Sequence, residues 1–230
     1  MNTIAENIAA VRKKITRACA ENGRDPQNVH LVAVSKMQPH DRIASMLATG
    51  QRLFGENRVQ EAKAHWTDLR AQYPDLKLHL IGPLQTNKAR DAVALFDCIE
   101  TVDRLDLADA LAKEMQKQNR TLPCFIQVNT GEEQQKGGVA PDGLPDLLDH
   151  CRKLGLDVRG LMCIPPVDEP CAPHFALLKK LAHRHGLHDL SMGMSADFED
   201  AIVLGATYVR LGTALFGERD QSFPSDPRPK

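Results

Sequence analysis

The sequence predicts an α/β fold: a (β/α)8 barrel of the TIM type with an extra helix in front of it. Three observations carry this prediction. Short apolar runs alternate with amphipathic stretches along most of the chain, the pattern of parallel strands joined by crossover helices. Eight such units fit into about 180 residues, which favours closure into a barrel. No Gly-x-Gly-x-x-Gly turn follows the first apolar run, as it usually does in an open doubly wound sheet.

The opening segment is a helix, because Ile4, Ile8, Val11, Ile15 and Ala18 recur at helical spacing. Thr3 and Glu6 make a capping-box pattern in front of it, and Gly23 ends it. Strands are then expected at 30–36, 52–56, 77–82, 98–102, 123–129, 158–164, 187–193 and 207–212. Helices are expected at 39–49, 57–72, 85–96, 104–118, 141–153, 172–185 and 196–204. No shift of composition marks a boundary, so residues 1–220 read as one domain. Residues 221–230, with Pro224, Pro227 and Pro229, read as a flexible tail.

Composition narrows the function. Hydrophobic residues make up 42% of the 230 and charged residues 26%, enough for an ordinary core. Lys and Arg number 29 against 30 Asp and Glu, and the longest basic run is only Arg12-Lys13-Lys14. Nucleic acid is therefore not an expected partner. No apolar run approaches the roughly 20 residues of a membrane span. The six cysteines form no Cys-x-x-Cys pair, and Cys98, Cys124 and Cys163 sit in apolar runs. They read as reduced core thiols, and with no signal sequence evident the expected location is the cytoplasm.

In such a barrel the chemistry gathers at the C-terminal ends of the strands. Lys36 follows Leu31-Val32-Ala33-Val34, which places an amine at the mouth of the first strand. Apolar walls disfavour its charged form and so favour a neutral nucleophile suited to Schiff-base formation. A strand-end lysine that simply reaches solvent fits the same position. Barrels often hold phosphate in the loops after strands seven and eight. Here those loops carry Gly193, Ser195, Gly212 and Thr213, with hydroxyls to donate and glycines that let backbone N–H groups approach. Ser195 is equally placed to cap the helix expected at 196–204, and Asp197, Glu199 and Asp200 would oppose an anion unless they point outward. In a closed barrel strand eight borders strand one, so the cradle and Lys36 adjoin. An amine beside a phosphate cradle suits pyridoxal phosphate (PLP) or a phosphorylated ketone.

Six ordered motifs carry a resemblance. They are 31–36 (LVAVSK), 54–61 (FGENRVQE), 79–88 (HLIGPLQTNK), 159–162 (RGLM), 190–195 (LSMGMS) and 209–217 (VRLGTALFG). Across essentially its whole length the chain resembles the YggS/PROSC-type pyridoxal phosphate homeostasis proteins. The resemblance implies a barrel similar to the N-terminal domain of alanine racemase, with PLP on Lys36. It further implies phosphate contacts from Ser195, Gly212 and Thr213, Arg210 facing the pyridine nitrogen, and Asn57 near the cofactor. Three residues depart from the family pattern: Leu78 and Cys163, both apolar, and Glu100, a carboxylate near the end of strand four.

Other signals are less specific. Asn57 with Gln60 also makes a capping-box pattern, and His79 reads either as a core histidine or as a cofactor neighbour. Asn87, Lys88 and Arg90 open a helix at the mouth, and the 129–138 loop, with Lys136, could cover it. The histidines of 183–188 lack a partner carboxylate or cysteine at ligand spacing, so no metal is expected. Three functions fit: a protein that holds, buffers or delivers PLP for vitamin B6 homeostasis; a PLP-dependent amino-acid enzyme such as a racemase; and a Schiff-base aldolase. The first is the favoured reading, with apo-enzymes or small amino and keto acids as possible partners, and a monomer is expected. The racemase reading is disfavoured because its second base is a tyrosine from another domain. This chain's tyrosines, Tyr73 and Tyr208, lie away from the mouth.

Overall fold

The computed structural model describes residues 3–217, so the expected tail at 221–230 lies outside the described residues. Eight parallel strands close into a barrel in sequence order. They are β1 (His30–Val34), β2 (Leu53–Glu56), β3 (Lys77–Leu80), β4 (Cys98–Val102), β5 (Pro123–Gln127), β6 (Asp157–Met162), β7 (Asp189–Ser191) and β8 (Tyr208–Leu211). Closure is direct: Val32 pairs with Arg210 and Ala33 with Leu211. This is the pairing that brings the loops after β7 and β8 alongside the end of β1.

Helices cover the outside: α1 (Ile4–Glu21), α2 (His40–Ala48), α3 (Val59–Gln72), α4 (Ala89–Leu95), α5 (Leu105–Lys117), α6 (Leu144–Lys153), α7 (Cys171–Arg184), α8 (Phe198–Val203) and α9 (Thr213–Phe216). The expected capping box forms at α1, with Thr3 accepting from the Glu6 amide and Glu6 accepting from the Thr3 amide. Gly23 turns the chain beyond α1 with a φ of 63°, a conformation a Cβ would oppose. The buried stripe of α1, Ile8, Val11 and Ile15, contributes roughly 1.5–3 kcal/mol per large side chain. It packs on α2, α8 and α9, and Asn7 Nδ2 donates to the Leu215 carbonyl at 3.0 Å.

Most of the core lies between barrel and helices, where Trp66, Phe54, Phe96 and Phe175 are fully buried. The barrel interior holds a smaller apolar cluster of Cys98, Phe125 and Met162, against which Tyr208 packs. All six thiols are unpaired and five are buried, and burial pushes Cys163 up to about 12.

Two capping alternatives are not realised. Asn57 and Gln60 form no capping box, because α3 begins behind Arg58, which makes no side-chain cap. Ser195 does not cap the following helix either. A turn intervenes, in which Asp197 Oδ1 accepts the Met194 amide at 2.6 Å, and α8 starts only at Phe198.

Gly82, just beyond β3, sets the spacing at the mouth. A Cβ there would stand 2.3 Å from the Asn57 carbonyl oxygen and 2.7 Å from its Cα. Backbone cannot yield as a side chain does. Gly82→Ala is therefore expected to cost roughly 1–3 kcal/mol, lowering the melting temperature by about 2–4 °C per kcal/mol. A melting curve superimposable on that of the unaltered protein would refute this close approach.

Candidate functional site

A cavity of about 340 Å³ opens at the C-terminal mouth of the barrel. Six of the seven singled-out residues line it together: Lys36, Asn57, Ser195, Arg210, Gly212 and Thr213. Its apolar walls include Val34, Ile81 and Ile164. A second cleft, of about 410 Å³, lies at the opposite end around Arg12, His30 and Gln51. It lacks the strand-end lysine and glycine loops, so the chemistry points to the mouth.

Each lining residue is placed by a strand end. Lys36 stands two residues beyond β1, half-buried. Gly212 follows β8 and precedes α9, and Thr213 is the first residue of that helix. Ser195 Oγ accepts the Ala214 amide at 3.1 Å, tying the loop after β7 to the start of α9. Its hydroxyl proton is left to donate elsewhere. A Cβ on Gly212 would meet nothing nearer than Val34 at 3.7 Å, so the glycine leaves unfilled a space the protein itself does not need.

Two of the three acids that could oppose an anion have partners of their own. Glu199 pairs with Lys14 at 3.0 Å and Arg17 at 2.7 Å on α1. Burial pushes its carboxyl up, but those two cations outweigh it and hold the group below its ordinary range. Asp197 accepts the Met194 amide.

Arg210 is buried and fixed from two sides. Nη1 donates to Ser191 Oγ at 2.6 Å and Nη2 to the Cys163 carbonyl at 2.8 Å. Ser191 in turn donates to Glu100 Oε2 at 2.5 Å, and Glu100 Oε1 meets His79 Nδ1 at 2.6 Å. Glu100 is therefore inside the barrel rather than at its mouth. Burial alone would raise its carboxyl, but the bond and charge of His79, the charge of Arg210 and the Ser191 bond hold it below the usual range. His79 is the one singled-out residue outside the cavity lining, because its ring is turned into this network within the barrel. Sequence reasoning missed Ser191, which reads as one more small strand residue, and Gln38 of the cavity wall. Asn87 and Lys88 fall in a 3-10 turn at Thr86–Lys88 and, with Arg90, lie off the lining.

The arrangement is an amine on one wall, a hydroxyl-and-amide cradle on the adjoining wall, and a fixed cation between them. These features fit a small aldehyde that carries a phosphate and a ring with an acceptor atom.

Comparison with known proteins agrees. The family model described as alanine racemase, N-terminal domain, matches residues 1–220. A pyridoxal phosphate homeostasis protein of Pseudomonas aeruginosa is 46% identical over 231 residues, covering 98% of this chain and 100% of its own. The structure of PipY from Synechococcus elongatus PCC7942 with PLP bound is similar at a TM-score of 0.80 and 38% identity, covering 94% of this chain and 100% of that one. An alanine racemase of Clostridium difficile 630 shares the fold at a TM-score of 0.69 and 16% identity, covering 97% of this chain and 58% of that one. Fold and site thus define a barrel of the alanine racemase N-terminal type. Within that class, the chain belongs to the family of pyridoxal phosphate homeostasis proteins.

Proposed function

We propose that the protein binds PLP at the barrel mouth, as a Schiff base on Lys36, and acts in intracellular vitamin B6 homeostasis by holding, buffering or delivering the cofactor. One observation carries the reading: Lys36 and the Ser195–Gly212–Thr213 cradle face one cavity of small-molecule size. Bound PLP supplies an aldehyde for the lysine amine and an electron-accepting ring. The Ser195 and Thr213 hydroxyls and the backbone at Gly212 and Thr213 would hold the phosphate, the Ala214 amide being taken by Ser195 Oγ and the Leu215 and Phe216 amides by the Gly212 carbonyl. Arg210, a permanent cation and donor only, would face the ring nitrogen and disfavour its protonation. Asn57, which lines the same cavity, would contact the ring. The working unit is the single barrel over 1–220, a cytoplasmic monomer, with apo-enzymes or small amino and keto acids as its further partners. Among the described residues, no helix is long and apolar enough to cross a membrane.

Holding is favoured over amino-acid chemistry by the cavity lining. A racemase needs a base on each face of the substrate carbon. Among the described lining residues Lys36 is the one candidate base; no carboxylate, histidine or tyrosine joins it. Glu100 cannot substitute, since both its oxygens are committed inside the barrel. Tyr208 packs on His30, His79 and Phe125 instead. The purified protein should therefore bind PLP saturably, with an imine absorbance, yet exchange the Cα hydrogen of alanine for solvent deuterium far more slowly than a racemase does. Exchange at racemase-like rates that disappears in Lys36→Ala would establish the enzymatic reading instead.

A further inference from the structure

We propose that Glu56 and Glu61 are positioning residues, a carboxylate clamp outside the cavity that aims Lys36 into it. The proposal rests on the reading that Lys36 holds the cofactor. Lys36 is a corner residue of a tight turn, closed by the Gln38 amide donating to the Ser35 carbonyl at 3.1 Å. Met37, the next corner, has a φ of 58°. Turns usually give this left-handed position to Gly or Asn, because a Cβ there costs on the order of 1 kcal/mol. The neighbours of Lys36 must hold Met37 in that conformation.

They are tied on both sides to a carboxylate. The Ser35 hydroxyl, fully buried, donates to Glu56 Oε1 at 2.7 Å. The Met37 amide donates to Glu61 Oε1. Glu56 ends β2 and Glu61 lies in the first turn of α3, so one short stretch of chain supplies both anchors. Glu56 is itself held in place by burial and by Oε1, which also takes Trp66 Nε1 at 3.0 Å and His65 Nδ1 at 2.9 Å. Burial disfavours the charged form of His65, but the bond and charge of Glu56 and the charge of Glu61 outweigh it and raise its affinity for a proton. Neither Glu56, Glu61 nor His65 lines the cavity. Glu56 and Glu61 act on the turn through the Ser35 hydroxyl and the Met37 amide, one on each side of Lys36.

Such a clamp acts on bond formation more than on docking. Schiff-base formation joins Lys36 Nζ to the aldehyde carbon as C=N, and the carbonyl oxygen leaves as water with both protons of the neutral amine. The approach of Nζ must be aligned, and misplacement by about 1 Å can slow such a step by about 100-fold. Binding of the phosphate and ring makes no such demand on the turn.

The test compares two probes. Stopped-flow absorbance follows the rate of imine formation with PLP, and calorimetry gives the affinity for pyridoxine 5'-phosphate, which has no aldehyde. Glu61→Ala should slow the imine about 10- to 100-fold and leave the affinity for the alcohol within about twofold. Glu61→Gln keeps an oxygen for the Met37 amide and should restore most of the rate, as should Glu56→Gln for Ser35. Glu61→Ala reacting at the original rate, or losing both readouts equally, would overturn the clamp. An unaltered protein that forms its adduct away from Lys36 would overturn the underlying reading, and the clamp with it.

Discussion

Replacing Lys36 with alanine is expected to abolish the borohydride-fixed adduct with PLP while the barrel melts as before. Among the described residues Lys36 is the one lysine of the mouth cavity. The alternatives are poorly placed. Lys88 ends a 3-10 turn away from the lining, and Lys136 is paired with Glu133 at 2.6 Å. The fold should survive because Lys36 lies beyond β1, half-buried, and contributes nothing to the core between barrel and helices. Substitutions away from buried groups usually stay within about 0.5 kcal/mol. The proposed phosphate and ring contacts do not involve this amine, so Lys36→Ala should still bind PLP reversibly, without the covalent increment. The readout is intact mass after reduction, then peptide mapping of the unaltered protein. A reduced adduct mapped to Lys88 or Lys136 would end the assignment.

The place of that lysine at the mouth was legible because two local signals converge on it. The apolar run Leu31–Val34 marks a buried strand, and an abrupt charge marks its end. All eight expected strands are present, but several close earlier at their C-terminal ends than the pattern suggested. Residues 81–82 and 163–164 continue the apolar pattern after the ladder has ended, because Ile81 and Ile164 wall the cavity. The site itself blurs the strand boundary there. The short α9 was missed because four residues are too few to show a helical period.

The polar networks were not legible for another reason. Ser35 meets Glu56 across 21 positions, and Ser191 meets Glu100 across 91. Nothing local marks a strand carboxylate as buried rather than solvated. Glu56 read as part of a motif and Glu100 as a departure from one, yet both are fully buried and multiply bonded. Ser195 offered two readings, phosphate donor or helix cap, and the cap is the one that does not form. A serine just before a helix is an ordinary cap, but here an aspartate-bounded turn lies between them and the hydroxyl serves the next loop.

That reassignment sets the size of the second large effect. Ser195→Ala combined with Thr213→Ala should weaken PLP far more than pyridoxal, which lacks the phosphate. A hydrogen bond to a charged group contributes roughly 1.5–3 kcal/mol. Ser195 is half-buried and Thr213 exposed, so water competes more for Thr213 and its share falls at the low end. Together they predict a loss of about 100-fold or more in PLP affinity, since each 1.4 kcal/mol is tenfold. Ser195→Ala also deprives the Ala214 amide of its acceptor, which loosens the start of α9. Thr213→Ala leaves that bond in place and isolates the direct contact. Pyridoxal controls for the loosening, because a general loss of order at the mouth weakens both ligands alike. Equilibrium titrations of both ligands, with the Lys36 imine followed by absorbance, decide the matter. Equal losses for PLP and pyridoxal would reduce the two hydroxyls to structural groups and leave the phosphate to the backbone amides alone.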